Sequence, residues 1–286
     1  MARVTLDHVV NLDYDRVTGI LESFIRGSVE EADVKGVVVG VSGGVDSATT
    51  LYLSTRALGP RRVMGLVMPD STVTPKEDID DAIGLLRGLG VEFHVVDIAP
   101  IVDVYKSSLP IYEAEEGPDR VPVGNLRARI RMSLLYYYAN KLGYMVAGTG
   151  DRSEILIGYF TKYGDGAVDI LPIGVLYKSQ VRRLAAALGV PERIAYKPSS
   201  PRLWRGQTAE GELGVTYDQV DLVLFSIFDL GLSPEETVEA TGVPREVVDR
   251  VMEMHRASEH KRNPPPAPSL DPIKEMMLAN TKGRVG

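Results

Sequence analysis

Six residues, Ser42-Gly43-Gly44-Val45-Asp46-Ser47, stand between the apolar run Val37-Val38-Val39-Gly40-Val41 and an amphipathic stretch from Ala48 to Leu58. A β-branched run, a glycine pair and a helical segment in that order dictate strand, tight turn and helix start. Such a turn aims backbone N–H groups at one point, and the helix N-terminus adds partial positive charge. The product is an anion cradle, most often for phosphate. The glycines let backbone approach the ligand closely, and Ser42 and Ser47 offer hydroxyls. Asp46 belongs beside phosphate only with a cation between them, so it reads as a Mg²⁺ ligand. The plainer alternative is a glycine turn with Asp46 and Ser47 as ordinary helix-start residues. The loop lacks the Gly-Lys-Ser/Thr ending of a Walker A sequence.

The alternation continues along the chain. Strands are expected over Val37–Val41, Val63–Met68, Val91–Val96 and Tyr144–Gly148, with helices near Ser47–Leu58, Glu77–Leu89 and Leu126–Leu142. Apolar strands separated by helices predict an α/β fold, a doubly wound parallel sheet covered on both faces, with ligands beyond the carboxyl ends of its strands. Three polar tips qualify: Ser42-Gly43-Gly44, Pro69-Asp70-Ser71-Thr72 and Gly148-Thr149-Gly150-Asp151. Extra helices are expected at both ends. A helical N-terminal arm (about 1–33, with one helix over Val9–Ala32) precedes a nucleotide-binding core (about 34–198). A lid from Pro198 to Gly214 and C-terminal helices fill about 199–286, the whole forming one domain. Ser233-Pro234-Glu235-Glu236 starts a helix, and the stretch Pro264–Pro272 is expected to be irregular.

With no cysteine among 286 residues, disulfides, thiolate metal sites and a cysteine nucleophile are excluded. No apolar run is long enough to span a membrane, and Asp7, Asp13 and Asp15 replace a signal core, so a cytoplasmic location is expected. A net charge of −7 opposes general nucleic-acid binding. The helix–turn–helix pattern over Pro234–His255 carries Glu246, Asp249 and Glu253 where a DNA reader needs cations.

Three further stretches carry chemistry. In Asn125-Leu126-Arg127-Ala128-Arg129-Ile130-Arg131, helical spacing puts Arg127 and Arg131 on one face and Arg129 nearly opposite, beside Asn125 and Ser133. The three arginines cannot all serve one ligand, and one or two read as a solvated basic face. Thr149 sits at a strand tip, and Glu154 falls in a first helical turn, where capping alone would explain it. In Lys162-Tyr163-Gly164-Asp165-Gly166 the glycines hold Asp165 on a low-bulk turn. Lys178 places a positive charge at a helix N-terminus, which is unfavourable unless an anion is present.

The SGGVDS loop resembles that of the N-type ATP pyrophosphatases, which split ATP between the α and β phosphates. Together with GNLRARIRM, GTGDRSE, YFTKYGDGAVDILPIG, the Lys178-Ser-Gln-Val-Arg segment, WRGQTAEGELG and Glu259-His260-Lys261-Arg262, the chain resembles the ammonia-dependent NAD⁺ synthetases, from about Gly40 to Arg262 and in their order. The resemblance implies an adenine nucleotide alpha-hydrolase-like fold. It implies adenylation of the nicotinate carboxylate of deamido-NAD⁺ by ATP, then displacement of AMP by ammonia, releasing NAD⁺, AMP and pyrophosphate. Asp46 and Glu154 would hold Mg²⁺. Gly40, Val41, Ser42, Gly43, Gly44, Val45, Asp46 and Ser47, with Thr149, Lys178 and Ser200, would bind ATP. Arg129, Lys162, Asp169, His260 and Lys261 would contact deamido-NAD⁺, while Asp165 and Lys178 would be catalytic, Asp165 binding ammonium or accepting its proton. A homodimer is implied.

The chain departs from the family's frequent pattern at Arg202, which reverses an aspartate's charge, and at Ala209, which replaces an acidic residue. Glutamine-using forms carry an extra domain with a cysteine nucleophile. Neither is seen here, so ammonia is the expected nitrogen source, with a separate glutaminase partner open but not indicated. Two other readings remain: a related ATP pyrophosphatase amidating or thiolating another acid, and a non-enzymatic adenine-nucleotide sensor.

Overall fold

The computed structural model describes residues 3–282. In chain order the elements are α1 (Leu6–Val10), α2 (Tyr14–Glu31), β1 (Val37–Gly40), α3 (Val45–Leu58), β2 (Val63–Val67), α4 (Lys76–Gly88), β3 (Glu92–Val95), α5 (Ala99–Ser108), α6 (Arg120–Leu142), β4 (Met145–Ala147), α7 (Arg152–Ile157), α8 (Lys178–Ala187), α9 (Glu192–Ala195), α10 (Ala209–Leu213), α11 (Tyr217–Leu224), α12 (Pro234–Thr241), α13 (Arg245–Ala257), α14 (Glu259–Arg262) and α15 (Asp271–Lys282).

The strands are parallel and ordered β3-β2-β1-β4. Side chains alternate along each strand, so β1, β2 and β4 each feed two cores. Val37, Val39, Val63, Val67, Met145 and Ala147 pack with α2, α3, α4 and α8. Val38, Met64, Leu66 and Val146 pack with α5 and α6. Burying each such side chain is worth about 1.5–3 kcal/mol. The continuous apolar runs of β1 and β2 thus follow from helices on both faces. A third apolar cluster joins α1 and α11–α13 to Ile157 and Tyr177. From β1 the chain moves outward one way to β2 and β3 and later returns to lay β4 on the other side. That reversal leaves a crevice beyond Gly40 and Ala147, where ligands bind in doubly wound sheets.

The N-terminal helix expected over Val9–Ala32 is instead two helices. Asp13 caps the second, its Oδ1 accepting from Arg16 N at 3.0 Å, and this stops the first at Val10. α3 starts at Val45 rather than Ser47, which brings Asp46 into its first turn. α6 starts at Arg120, six residues ahead of the expected Leu126, with Pro122 in its first turn where no N–H is needed. β3 is an edge strand with exposed residues, not a strand buried on both faces. Regular structure resumes at Asp271, so Pro272 lies in the first turn of α15 rather than in the irregular tail.

Candidate functional site

The cradle holds itself open through its two serines. Ser47 Oγ accepts from Ser42 N at 3.1 Å, donates to Gly44 O at 3.1 Å and lies 3.1 Å from Ser42 Oγ. Gly43 has φ +80°, and a Cβ there would lie 2.2 Å from the Asp78 carbonyl oxygen. Glycine is needed for both reasons. The turn therefore packs directly on the first turn of α4.

Behind the cradle, Lys178 is fully buried and its ammonium meets three carboxylates: Asp46 Oδ2 at 2.6 Å, Asp151 Oδ2 at 2.9 Å and Glu154 Oε1 at 2.9 Å. The Tyr217 ring covers the same nitrogen, 5.1 Å from centroid to Nζ. Helix starts explain the convergence. Asp46 is in the first turn of α3, Asp151 caps α7, Glu154 is its third residue, and Lys178 opens α8. Burial, reinforced by the neighbouring carboxylates, pushes Asp151 up to about 7 and Glu154 well above the usual carboxylate range, against the pull of Lys178. Burial also opposes the charge of Lys178, but the three carboxylates outweigh it and hold the ammonium protonated. Fully ionised, three carboxylates against one ammonium would leave two negative charges unmatched, which adds to burial in raising Asp151 and Glu154. Asp46 Oδ1 is buried without a hydrogen-bond partner. Among the described residues no three His, Asp or Glu side chains form a ready-made metal cage. The excess charge and the free Asp46 oxygen fit a divalent ion of the kind held by one or two carboxylates plus phosphate oxygens.

A cleft of about 370 Å³ opens from the carboxyl ends of β1 and β4. Gly40, Val41, Ser42, Thr149, Asp165 and Lys261 line it. Asp165 Oδ1 accepts from Thr161 N at 2.8 Å. Although the residue itself is exposed along the open cleft, desolvation by the surrounding protein raises its carboxyl above the ordinary value. Lys261 Nζ donates to Gly158 O and Phe160 O, both at 2.7 Å. Arg129, Lys162 and His260 form a chain at the exposed rim: Arg129 Nη2 donates to Lys162 O at 3.3 Å, and Lys162 Nζ to His260 O at 2.5 Å. Asp169 sits apart, accepting from Val146 N at 2.7 Å and from Tyr136 OH at 3.0 Å. On α6 it is Asn125, Arg131 and Met132 that face the cleft, while Arg129 and Ser133 are exposed. Ser200 Oγ donates to Gln207 O at 2.6 Å, within the lid.

Residues 17–265 match the model of the NAD synthase family. The chain belongs to that family. Its relatives include the NH₃-dependent NAD⁺ synthetase of Hyperthermus butylicus, 64% identical with 93% of this chain and 95% of that one aligned. That of Aeropyrum pernix is 58% identical, over 96% and 95%. Among solved structures, the NMN synthetase of Francisella tularensis superposes with a TM-score of 0.79 at 33% identity, covering 90% of this chain and 99% of that one. The NH₃-dependent NAD synthetase of Campylobacter jejuni gives 0.75 at 29%, covering 90% and 100%. The fold is that of the adenine nucleotide alpha-hydrolases.

The structure also brings in groups to which the sequence reading gave no role of their own. Asp151 and Tyr217 complete the Lys178 cluster. Arg127, taken with its neighbours as a basic face, is instead 1% exposed. Its Nε meets Asp70 Oδ2 at 2.6 Å, and its Nη1 reaches Glu115 Oε1 at 2.5 Å and Leu203 O at 2.9 Å. The lid is tied to α4 as well. Arg202, where the family's pattern has an aspartate, meets Asp78 Oδ2 at 2.7 Å, and Lys197 bridges Asp78 at 2.9 Å and Asp81 at 2.6 Å. The reversed charge at 202 therefore has its own partner.

Proposed function

We infer that this chain is an ammonia-dependent NAD⁺ synthetase, an amide-forming ligase that uses ATP to convert deamido-NAD⁺ to NAD⁺. The observation that carries the reading is that Ser42 of the cradle, Thr149 and Asp165 line one cleft at the sheet's reversal, with the buried Lys178 cluster joined to the same cradle through Asp46. The nicotinate carboxylate attacks the α-phosphorus of ATP. The α–β bond breaks, pyrophosphate leaves and an acyl-adenylate remains. Ammonia then attacks the acyl carbon and expels AMP.

The residue roles are those that the resemblance to the family implies. The N–H groups and hydroxyls of Gly40–Ser47, with Thr149 and Ser200, bind ATP, and Lys178 holds charge beside the departing pyrophosphate. Asp46 and Glu154 would hold Mg²⁺, which when bound offsets charge on the phosphate oxygens. Arg129, Lys162, Asp169, His260 and Lys261 bind the dinucleotide, and the exposed positions of Arg129 and His260, with half-buried Lys162 between them, suit a ligand that extends beyond the cleft. Homodimerisation is supported by exposed Val95, Val104, Tyr105 and Tyr137 on β3, α5 and α6. The chain acts as one domain, with arm, core, and lid plus C-terminal helices in the divisions given above. No described helix is long and apolar enough to cross a membrane, and a cytoplasmic location suits these substrates.

Purified protein with ATP, Mg²⁺, deamido-NAD⁺ and ammonium should give equimolar NAD⁺, AMP and pyrophosphate. Formation of ADP, or turnover only with nicotinate mononucleotide in place of the dinucleotide, would reject the reading. Within it, Asp165 orients ammonium and takes its proton. Asp165→Asn keeps the shape but loses the base, so rapid quench should show acyl-adenylate forming while amide formation slows about 10²–10⁴-fold. Both steps at wild-type rate would leave Asp165 a turn residue.

A further inference from the structure

Asp221 is an acidic residue on an otherwise apolar face of α11, flanked by Val220, Val223 and Leu224, and it is 0% exposed. It does not touch the cleft. Its Oδ1 accepts from Ser153 Oγ at 2.5 Å and its Oδ2 from Ser179 N at 2.8 Å. Ser153 Oγ in turn accepts from Lys178 N at 2.9 Å. One carboxylate thus fixes the first turns of both α7 and α8, directly or through one hydroxyl. Its two contacts, Ser153 and Ser179, are the chain neighbours of Glu154 and Lys178. Helix N-termini leave N–H groups that need acceptors, and a buried carboxylate there is favourable. One turn earlier on the same face of α11, Tyr217 lies over the Lys178 ammonium and its hydroxyl is 3.5 Å from Glu154 Oε1.

We propose that Asp221 is a positioning residue for adenylation, setting the backbones of Lys178 and Glu154 in register across the first turns of two helices. The role rests on the reaction assigned above. Group placement matters steeply in such sites, where a displacement of about 1 Å can cost about 10²-fold.

The test compares Asp221→Asn, Ser153→Ala and the double variant with wild type. Each is followed by single-turnover AMP and pyrophosphate release and by deuterium uptake across residues 176–182 without ligand. In folded Asp221→Asn, adenylation should slow about 10²-fold while the KM for deamido-NAD⁺ moves less than about twofold, since the dinucleotide contacts lie elsewhere. Ser153→Ala keeps the carboxylate and cuts the link to Lys178 N. It should slow the same step about tenfold, and the double variant should be no slower than Asp221→Asn because both act through one network. Uptake across 176–182 should rise in every variant. Should Asp221→Asn not fold, Ser153→Ala carries the comparison. Wild-type adenylation in a folded variant, losses that multiply in the double, or a rise in KM equal to the fall in rate overturns the proposal. Absence of AMP release by wild type rejects the assigned reaction instead, and unchanged deuterium uptake in the variants then still overturns the positioning role.

Discussion

Lys178→Met should abolish turnover and, in the ligand-free protein, cost several kcal/mol of stability. The side chain is fully buried among Asp46, Asp151 and Glu154. Removing one partner of a buried ion pair strands the other, typically at 3–5 kcal/mol, and here three carboxylates lose their shared cation at once. Some of that cost is relieved by protonation, because burial already raises Asp151 and Glu154. Urea denaturation at neutral pH should therefore show a loss of about 3 kcal/mol or more. Pyrophosphate release should fall at least about 10²–10³-fold, the usual effect of deleting one preorganised charge or donor. A stability change within about 0.5 kcal/mol, as for an ordinary surface substitution, would show that the ammonium does not hold the cluster together.

Glu154→Gln and Asp46→Asn should have the opposite effect on stability and a similar effect on rate. Each removes one of the carboxylates crowding a single ammonium while keeping an oxygen for it. With less unmatched buried charge, neither variant should unfold more easily than wild type in the absence of ligands. Both should lose about 10²–10³-fold in pyrophosphate release. If both turn over normally at saturating Mg²⁺, these carboxylates are not its ligands. If either is destabilised as much as Lys178→Met, the cluster is a simple structural salt bridge rather than a site with charge to spare.

These residues divide according to how local their signal is. The cradle was legible because strand, glycine turn and helix start are contiguous, and each announces itself by periodicity or backbone chemistry. The sheet was legible for the same reason: Val37–Val39 and Val63–Val67 are apolar without interruption because both faces are covered. β3 was misjudged because the apolar residues at its ends, Val91 and Val96, hide an exposed edge centred on Glu92 and His94. Helix α5 gave no clear signal, opening Ala99-Pro100 and ending in polar residues. Asp151 stands three residues from Glu154 and could have been suspected as the acid capping that helix. Asp221 lies 43 positions beyond Lys178, and no motif joins them. Its only trace is an acid inside an apolar helical stripe, and a buried charge always needs a partner. Arg127 had a similar trace, but periodicity says which residues share a face and not whether that face meets water.

Asp78 is bound to the cradle and to the lid by different atoms. Its carbonyl oxygen fills the space beside Gly43, and its carboxylate takes Lys197 and Arg202. In a saturation library the two constraints would separate. Codon 43 should accept glycine alone, since every other residue brings a Cβ against a backbone oxygen that no change at codon 78 can remove. Codon 78 should instead vary in step with codons 197 and 202, because charge can be traded among side chains. A fixed position and a drifting trio would then mark, within one contact surface, what the backbone dictates and what the side chains negotiate.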